Sequence, residues 1–128
     1  DGYYYIVGRL KDMVKRAGEN VAAREVEAVL NELPYIAESA IVPVPDALRG
    51  EEVKAYVILS DMQPADVSLD EIFAHCGAQL APFKIPRYVA FVEDLPRTPT
   101  RKVAKQRLLA ETDDLLTGAY DREAGRWL

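Results

Sequence analysis

The segment PRTPTRKVAK at 96–105 places four cations, Arg97, Arg101, Lys102 and Lys105, on a stretch stiffened by Pro96 and Pro99. Two further segments, GRLKDMVKRAGEN at 8–20 and APFKIP at 81–86, have a similar make-up. Together the three hold nine of the sixteen lysines and arginines in a chain whose net charge is −5. A lysine taken singly is a solvated surface charge. Cations gathered where Gly and Pro fix the backbone are a different matter, because such loops present set shapes and commonly carry function. A basic loop face could meet nucleic acid or an acidic partner. The acidic balance and the lack of aromatics interleaved with the basic residues argue against nucleic acid.

Other site chemistries are absent from the sequence. His75 and Cys76 are the single residues of their kinds, and as helix neighbours they point apart, which suits neither a metal site nor a Cys–His nucleophilic pair. Cys76 reads as a small buried hydrophobe. No metal ligand set is expected. Neither G-x-x-x-x-G-K-[ST] nor G-x-G-x-x-G occurs, so the chain holds no self-contained active site.

The elements that must position these segments follow from pattern. GYYYIV at 2–7 is rich in β-formers, and DMVKR at 12–16 can pair back on it as an N-terminal hairpin through residues 8–11, after which AGEN breaks the strand. Val26, Val29, Leu30 and Leu33 form one apolar stripe, predicting a helix over 22–33 that Pro34 ends. IAESAIVPVP (36–45) and EEVKAYVILS (51–60) read as strands joined by DALRG, with Val53, Ala55, Val57 and Leu59 facing inward. Ser68 with Glu71 predicts a capped helix to Leu80, burying Ile72, Phe73, Cys76 and Leu80. A loop at 81–86, a strand at 87–93 and a helix at 103–111 complete the pattern, and the tail at 111–128 has little of its own. This predicts an α+β domain: a small N-terminal β-hairpin plus a mixed three-stranded sheet flanked by helices.

At 128 residues the chain is one domain with room for a modest core. Its longest apolar runs span no membrane, and its first twenty residues do not resemble a signal peptide. A single cysteine suits a reducing, cytoplasmic setting. The chain begins at Asp1, in mid-pattern, and reads like a piece of something longer.

The order DGYYYIVGRLKDMVKRAGENVAAREVE, EEVKAYV and APFKIPRYVAFVEDLPRTPTRKVAK resembles the C-terminal domain of the adenylate-forming (AMP-binding) superfamily. That superfamily includes acyl-CoA synthetases, peptide-synthetase adenylation domains and firefly-type luciferases. The likeness covers residues 1 to about 110, and Gly8, Arg9, Asp12, Lys15, Gly18, Glu25 and Glu27 fall where the first family motif has its own residues. Within the superfamily the chain is most similar to the acyl-CoA synthetase branch, resembling bacterial fatty acyl-CoA or crotonobetaine/carnitine-CoA ligases.

The resemblance implies a mobile C-terminal domain over 1–128 whose large N-terminal partner, bearing the ATP and acyl sites, precedes Asp1. The full-length enzyme would use ATP, CoA and Mg2+, joining a carboxylic acid to ATP and then passing the acyl group to CoA. Lys102 would be the adenylation lysine and an ATP/AMP contact, Arg9 a second such contact, and Lys11 the hinge within the 1–16 hairpin. Lys15, Gly18, Glu19 and Asn20 would face CoA, with Arg16 as a further cation for its phosphates, and Lys84 would support the fold. Many members have a glycine immediately before the lysine, where this chain has Arg101. Two alternatives stand beside this reading: an adenylation domain that serves a carrier-protein thiol, and a non-enzymatic interaction module with a basic loop face.

Overall fold

The computed structural model describes residues 12–112 and 114–128. Arg9, Lys11 and the expected strand at 2–7 lie outside the described residues. Strand β1 (Met13–Arg16) turns directly into β2 (Glu19–Ala22), with Val14 opposite Val21 and Arg16 opposite Glu19. The AGEN segment therefore turns the chain rather than breaking it. Ala17 and Gly18 both take positive φ, 53° and 85°, the two-residue turn whose twist matches that of paired strands.

Helix α1 (Ala23–Leu30) follows and buries Ala23, Val26, Val29 and Leu30. The expected stripe is present, but the helix closes before Leu33: Glu32 and Leu33 donate instead to the carbonyls of Val29 and Leu30, a tightened last turn ahead of Pro34. Strand β3 (Ile36–Asp46) and strand β4 (Gly50–Leu59) pair antiparallel along nearly their whole length. Pro43 and Pro45 lie within β3, which among the described strands pairs with β4 alone. The Ile41 N–H, two residues before Pro43, donates to the Glu27 carboxylate rather than to β4 (2.8 Å). Pro43 and Pro45 share that alternation, so their missing donors fall on the outer edge, where proline is tolerated in a sheet.

Helix α2 (Leu69–Gln79) starts at Ser68, whose hydroxyl accepts from the Glu71 N–H. The Glu71 side chain does not close the reciprocal half of a capping box. It accepts from the Tyr35 hydroxyl instead (2.6 Å). A one-turn 3-10 helix (Pro82–Lys84) leads into β5 (Tyr88–Phe91), parallel to β4. Helix α3 (Lys105–Glu111) comes next. The patternless tail folds into a short hairpin, β6 (Tyr120–Asp121) and β7 (Arg126–Trp127), that pairs with β5 and widens the sheet. The central strands β3, β4 and β5 form the expected mixed sheet. Among the described residues the sheet has seven strands, in the order β2-β1-β4-β5-β6-β7 with β3 on the other side of β4. No described helix is long and apolar enough to cross a membrane.

Both faces of the sheet are covered. Val53, Ala55 and Val57 of β4 point into a core shared with α1 and α2, where Ile72 and Cys76 are also buried. The alternate positions lie under α3 and the tail, with Tyr56, Tyr88, Leu108 and Ala119 in a second core. Two charged residues, Glu52 at 0% and Lys54 at 2% exposure, are therefore buried where alternation alone would give them to water. The Lys54 ammonium donates to the Leu115 carbonyl (2.6 Å) and the Tyr56 hydroxyl (3.0 Å). Burial pushes its pKa down to about 8, against the pull of Asp114.

The unfolded chain holds that proton up to about pH 10, so above pH 8 the unfolded state binds more protons than the folded one. Lys54 therefore adds to stability as pH rises, while below pH 8 its buried charge is fully opposed by desolvation. The Cys76 thiol, pushed up to about 11 by burial, works in the opposite direction above pH 9, so pH 7 to 9 is the clean window. Urea unfolding should show wild type gaining on Lys54→Met between pH 7 and 9. A constant difference would mean that the amine is solvated.

Candidate functional site: the Lys102 loop and the β1–β2 hairpin

Lys102 sits on a tight loop between β5 and α3. Thr98 N–H donates to the Lys102 carbonyl (2.8 Å), Arg101 N–H to the Thr98 carbonyl (2.8 Å), and Ala104 N–H to the Pro96 carbonyl (2.7 Å). Arg97 and Val103 form an antiparallel bridge at the base. Residues 98–101 are thus a turn with Pro99 at its second position, where the fixed φ of proline suits it. Arg101, at the fourth, has φ +71°, the left-handed region that favours glycine. Glycine, which the resemblance expects before the lysine, would suit this conformation, and here an arginine adopts it. Below the turn, Arg97 is held by Glu38 of β3 (2.6 and 3.1 Å) and by Asp94 (3.2 Å). The Leu95 N–H and the Arg97 guanidinium together hold the Asp94 carboxyl below its usual range.

The second group lies on the β1–β2 hairpin. Lys15 stands opposite Asn20 in register, and both are exposed with Gly18 and Glu19. A Cβ at Gly18 would meet no atom within 4 Å. Its positive φ alone accounts for the glycine, and the space in front of the turn is open.

Ion pairing sorts the cations of the three segments. Lys84 binds Glu25 of α1 (2.8 Å), which fits the supporting role expected of it. Lys105 binds both Asp12 (2.5 Å) and Glu27 (2.7 Å). Arg97 is paired as above. Arg16 turns its guanidinium inward to Glu52 (2.7 Å), so it is committed to a carboxylate rather than presented to a ligand phosphate. Lys15, Arg101 and Lys102 are exposed and make no ion pair among the described residues. Among the described residues of the three segments, these three are the cations presented outward.

The two groups are far apart. The Lys102 loop is tied through Arg97 to Glu38, near the start of β3. The hairpin turn is tied at the other end of that strand: Arg16 pairs with Gly50, itself opposite Asp46, and Ala17 N–H donates to the Arg49 carbonyl (2.8 Å). Eight residues of extended strand from Glu38 to Asp46 span roughly 26 Å. Among the described residues no three His, Cys, Asp or Glu side chains are grouped so as to hold a metal ion.

Residues 25–102 match the family described as the AMP-binding enzyme C-terminal domain. The chain belongs to that family. The domain is 40% identical to a long-chain-fatty-acid–CoA ligase of Bacillus subtilis over 111 residues, covering 87% of this chain and 20% of that protein. It is 39% identical to a sulfoacetate–CoA ligase of Cupriavidus necator over 109 residues, covering 85% of this chain and 21% of the ligase. A solved fatty acyl CoA synthetase of Mycobacterium tuberculosis superposes with a TM-score of 0.70 at 39% identity, over 77% of this chain and 19% of that one. The domain thus spans about a fifth of the length of these relatives.

Sequence reasoning missed the charged cluster beneath the hairpin. Glu52 accepts from Arg16 (2.7 Å), Arg49 (2.7 Å) and Arg87 (3.3 Å), and Arg87 also forks onto Asp121 (3.0 and 3.2 Å). Burial alone would raise the Asp121 carboxyl, but Arg87 and the N–H groups of Ala124 and Glu123 hold it below its usual range. The available signal was the pair of charges inside EEVKAYV and the DRE of the tail.

An L-residue in the left-handed region is strained by about 1 kcal/mol or more. Arg101→Gly should therefore keep the loop and raise stability by up to about 1 kcal/mol in urea unfolding, since glycine entropy offsets part of the relief. A loss of stability would show that the arginine side chain makes a contact worth more than the strain.

Proposed function

We propose that the domain is the mobile C-terminal lid of an ATP-dependent carboxylate–CoA ligase. In the first half-reaction a carboxylate oxygen attacks the α-phosphorus of ATP and pyrophosphate leaves, giving an acyl-adenylate. In the second, the thiol of CoA loses its proton and attacks the acyl carbonyl, and AMP leaves. Two anions must meet in the first step. A lysine delivered between them lowers that repulsion most where the bond is forming. Lys102 suits the task because it is unpaired among the described residues and stands on a loop whose turn is already closed, so little ordering is required when it enters the site. Lys15, Gly18, Glu19 and Asn20 suit the second step as an open, exposed ledge with one bare cation for the phosphates of CoA.

The separation of these two groups carries the reading. Surfaces anchored at opposite ends of β3, at Glu38 and Asp46 with roughly 26 Å of strand between, are ill placed to border one reacting carbon together, so a domain that serves both steps would turn between them. Lys11, immediately before the first described residue, is the proposed hinge, with Arg9 contacting ATP or AMP. The rest of the enzyme would supply the acyl pocket, most ATP contacts and the Mg2+ that accompanies the nucleotide, and the domain alone is expected to be inert. Its similar likeness to ligases named for a long apolar acid and for a small anionic one indicates that it follows the shared CoA chemistry. A fatty acid is the substrate we propose, its choice being made outside this domain.

The test is Lys102→Ala in the full-length enzyme. Carboxylate-dependent ATP–pyrophosphate exchange should fall by about tenfold to a thousandfold, as for other lost charge-stabilising contacts. Thioester formation from supplied acyl-adenylate should persist. Unchanged exchange would remove Lys102 from the chemistry.

A further inference from the structure

The hairpin that carries Lys15 and Gly18 is attached to the sheet in two different ways. Near its base, Val14 and Val21 are buried in the core beside α1. Its tip has no apolar anchor of that kind: Ala17, Gly18, Glu19 and Asn20 are all exposed, and β1 meets β4 through the single pair Arg16 and Gly50. The tip is held by two hydrogen bonds of its backbone, Ala17 N–H to the Arg49 carbonyl (2.8 Å) and Lys15 N–H to the Glu51 carboxylate (2.7 Å), and by charge. Arg16, the last residue before the turn, donates to Glu52 (2.7 Å). Arg49, whose carbonyl receives the Ala17 N–H, donates to the same carboxylate (2.7 Å).

The outer side of this arrangement is closed by the C-terminal tail. Glu123 accepts from Arg49 (2.9 and 3.2 Å) and lies 3.8 Å from Arg16 and 3.6 Å from Arg87. Its position is fixed from behind: its own N–H donates to Asp121 (3.0 Å), which is clamped by Arg87. Three arginines thus share four carboxylates, Asp46, Glu52, Asp121 and Glu123. The tail hairpin lies beyond residues 25–102, so the family match does not include it.

We propose that Glu123 is a positioning residue for the thioester-forming step. Through Arg49 and Arg16 the C-terminal hairpin fixes the angle of the β1–β2 turn, and with it the ledge presented to CoA. Buried Glu52 alone has three arginines to satisfy. With Glu123 in place Arg49 and Arg16 are drawn between two carboxylates, which leaves each guanidinium one preferred direction. Without it, Arg49 and Arg16 keep one partner each and the tip loses its outer restraint, while the Lys102 loop at the far end of β3 is untouched. The inference rests on the reading of the hairpin as the CoA-facing element.

The experiment uses the full-length enzyme and measures the two half-reactions separately for Glu123→Ala, Glu123→Asp and Lys15→Ala. Glu123→Ala should raise KM for CoA about three- to tenfold with ATP–pyrophosphate exchange within twofold of wild type, and Glu123→Asp should recover part of the loss. Hydrogen exchange should quicken at 15–20 and stay unchanged at 97–104. If Lys15→Ala raises KM for CoA and Glu123→Ala does not, the positioning role is overturned and the CoA reading stands. If neither changes it, the CoA reading itself fails. A parallel fall of both half-reactions in Glu123→Ala would show a general structural loss and overturn the proposal as well.

Discussion

Strand β4 borders β1, β3 and β5 and is packed on both faces, and almost everything else in the domain is arranged around that double burial. One face accepts Val53, Ala55 and Val57 against α1 and α2 at little cost. The other carries Glu52 and Lys54, which must find partners before they can be enclosed. Glu52 finds three arginines, and Lys54 finds a carbonyl and a phenol. Those partners come from the hairpin, the β3–β4 turn, the start of β5 and the tail. The charges buried in β4 therefore select which remote segments close the second face.

The same requirement divides the basic residues by function. Arg16, Lys84, Arg97 and Lys105 each neutralise a carboxylate that holds two elements together. Lys15, Arg101 and Lys102 hold nothing among the described residues and face outward. Composition cannot make this division, because all seven sit in similar Gly- and Pro-bounded segments. Lys105 is the clearest case, three residues beyond Lys102 yet bound to Asp12 and Glu27.

Much of the fold could be read from local pattern. The stripe in α1, the Ser68 cap, the paired strands β3 and β4 and the turn around Pro99 each depend on residues within a few positions of one another. The Ala17-Gly18 turn was harder, since it lacks the Asn-Gly or Asp-Gly signature of such hairpins. The tail was illegible because its two strands have two residues each and gain their meaning by joining β5. The Lys102 loop was recognisable from its own residues, whereas the cluster under the hairpin brings together residues as remote in the chain as Arg16 and Glu123, a distance no periodicity spans.

The outer edge of β3 has a consequence for a domain that would have to leave one partner surface and return to another. An open strand edge is a template on which any extended chain can assemble. Here the Ile41 donor is occupied by Glu27, and Pro43 and Pro45 have none to offer. In the proposed excursions that edge would offer a passing strand carbonyls but no free N–H at Ile41, Pro43 or Pro45, half of what a ladder needs, so the freedom to move need not bring self-association with it.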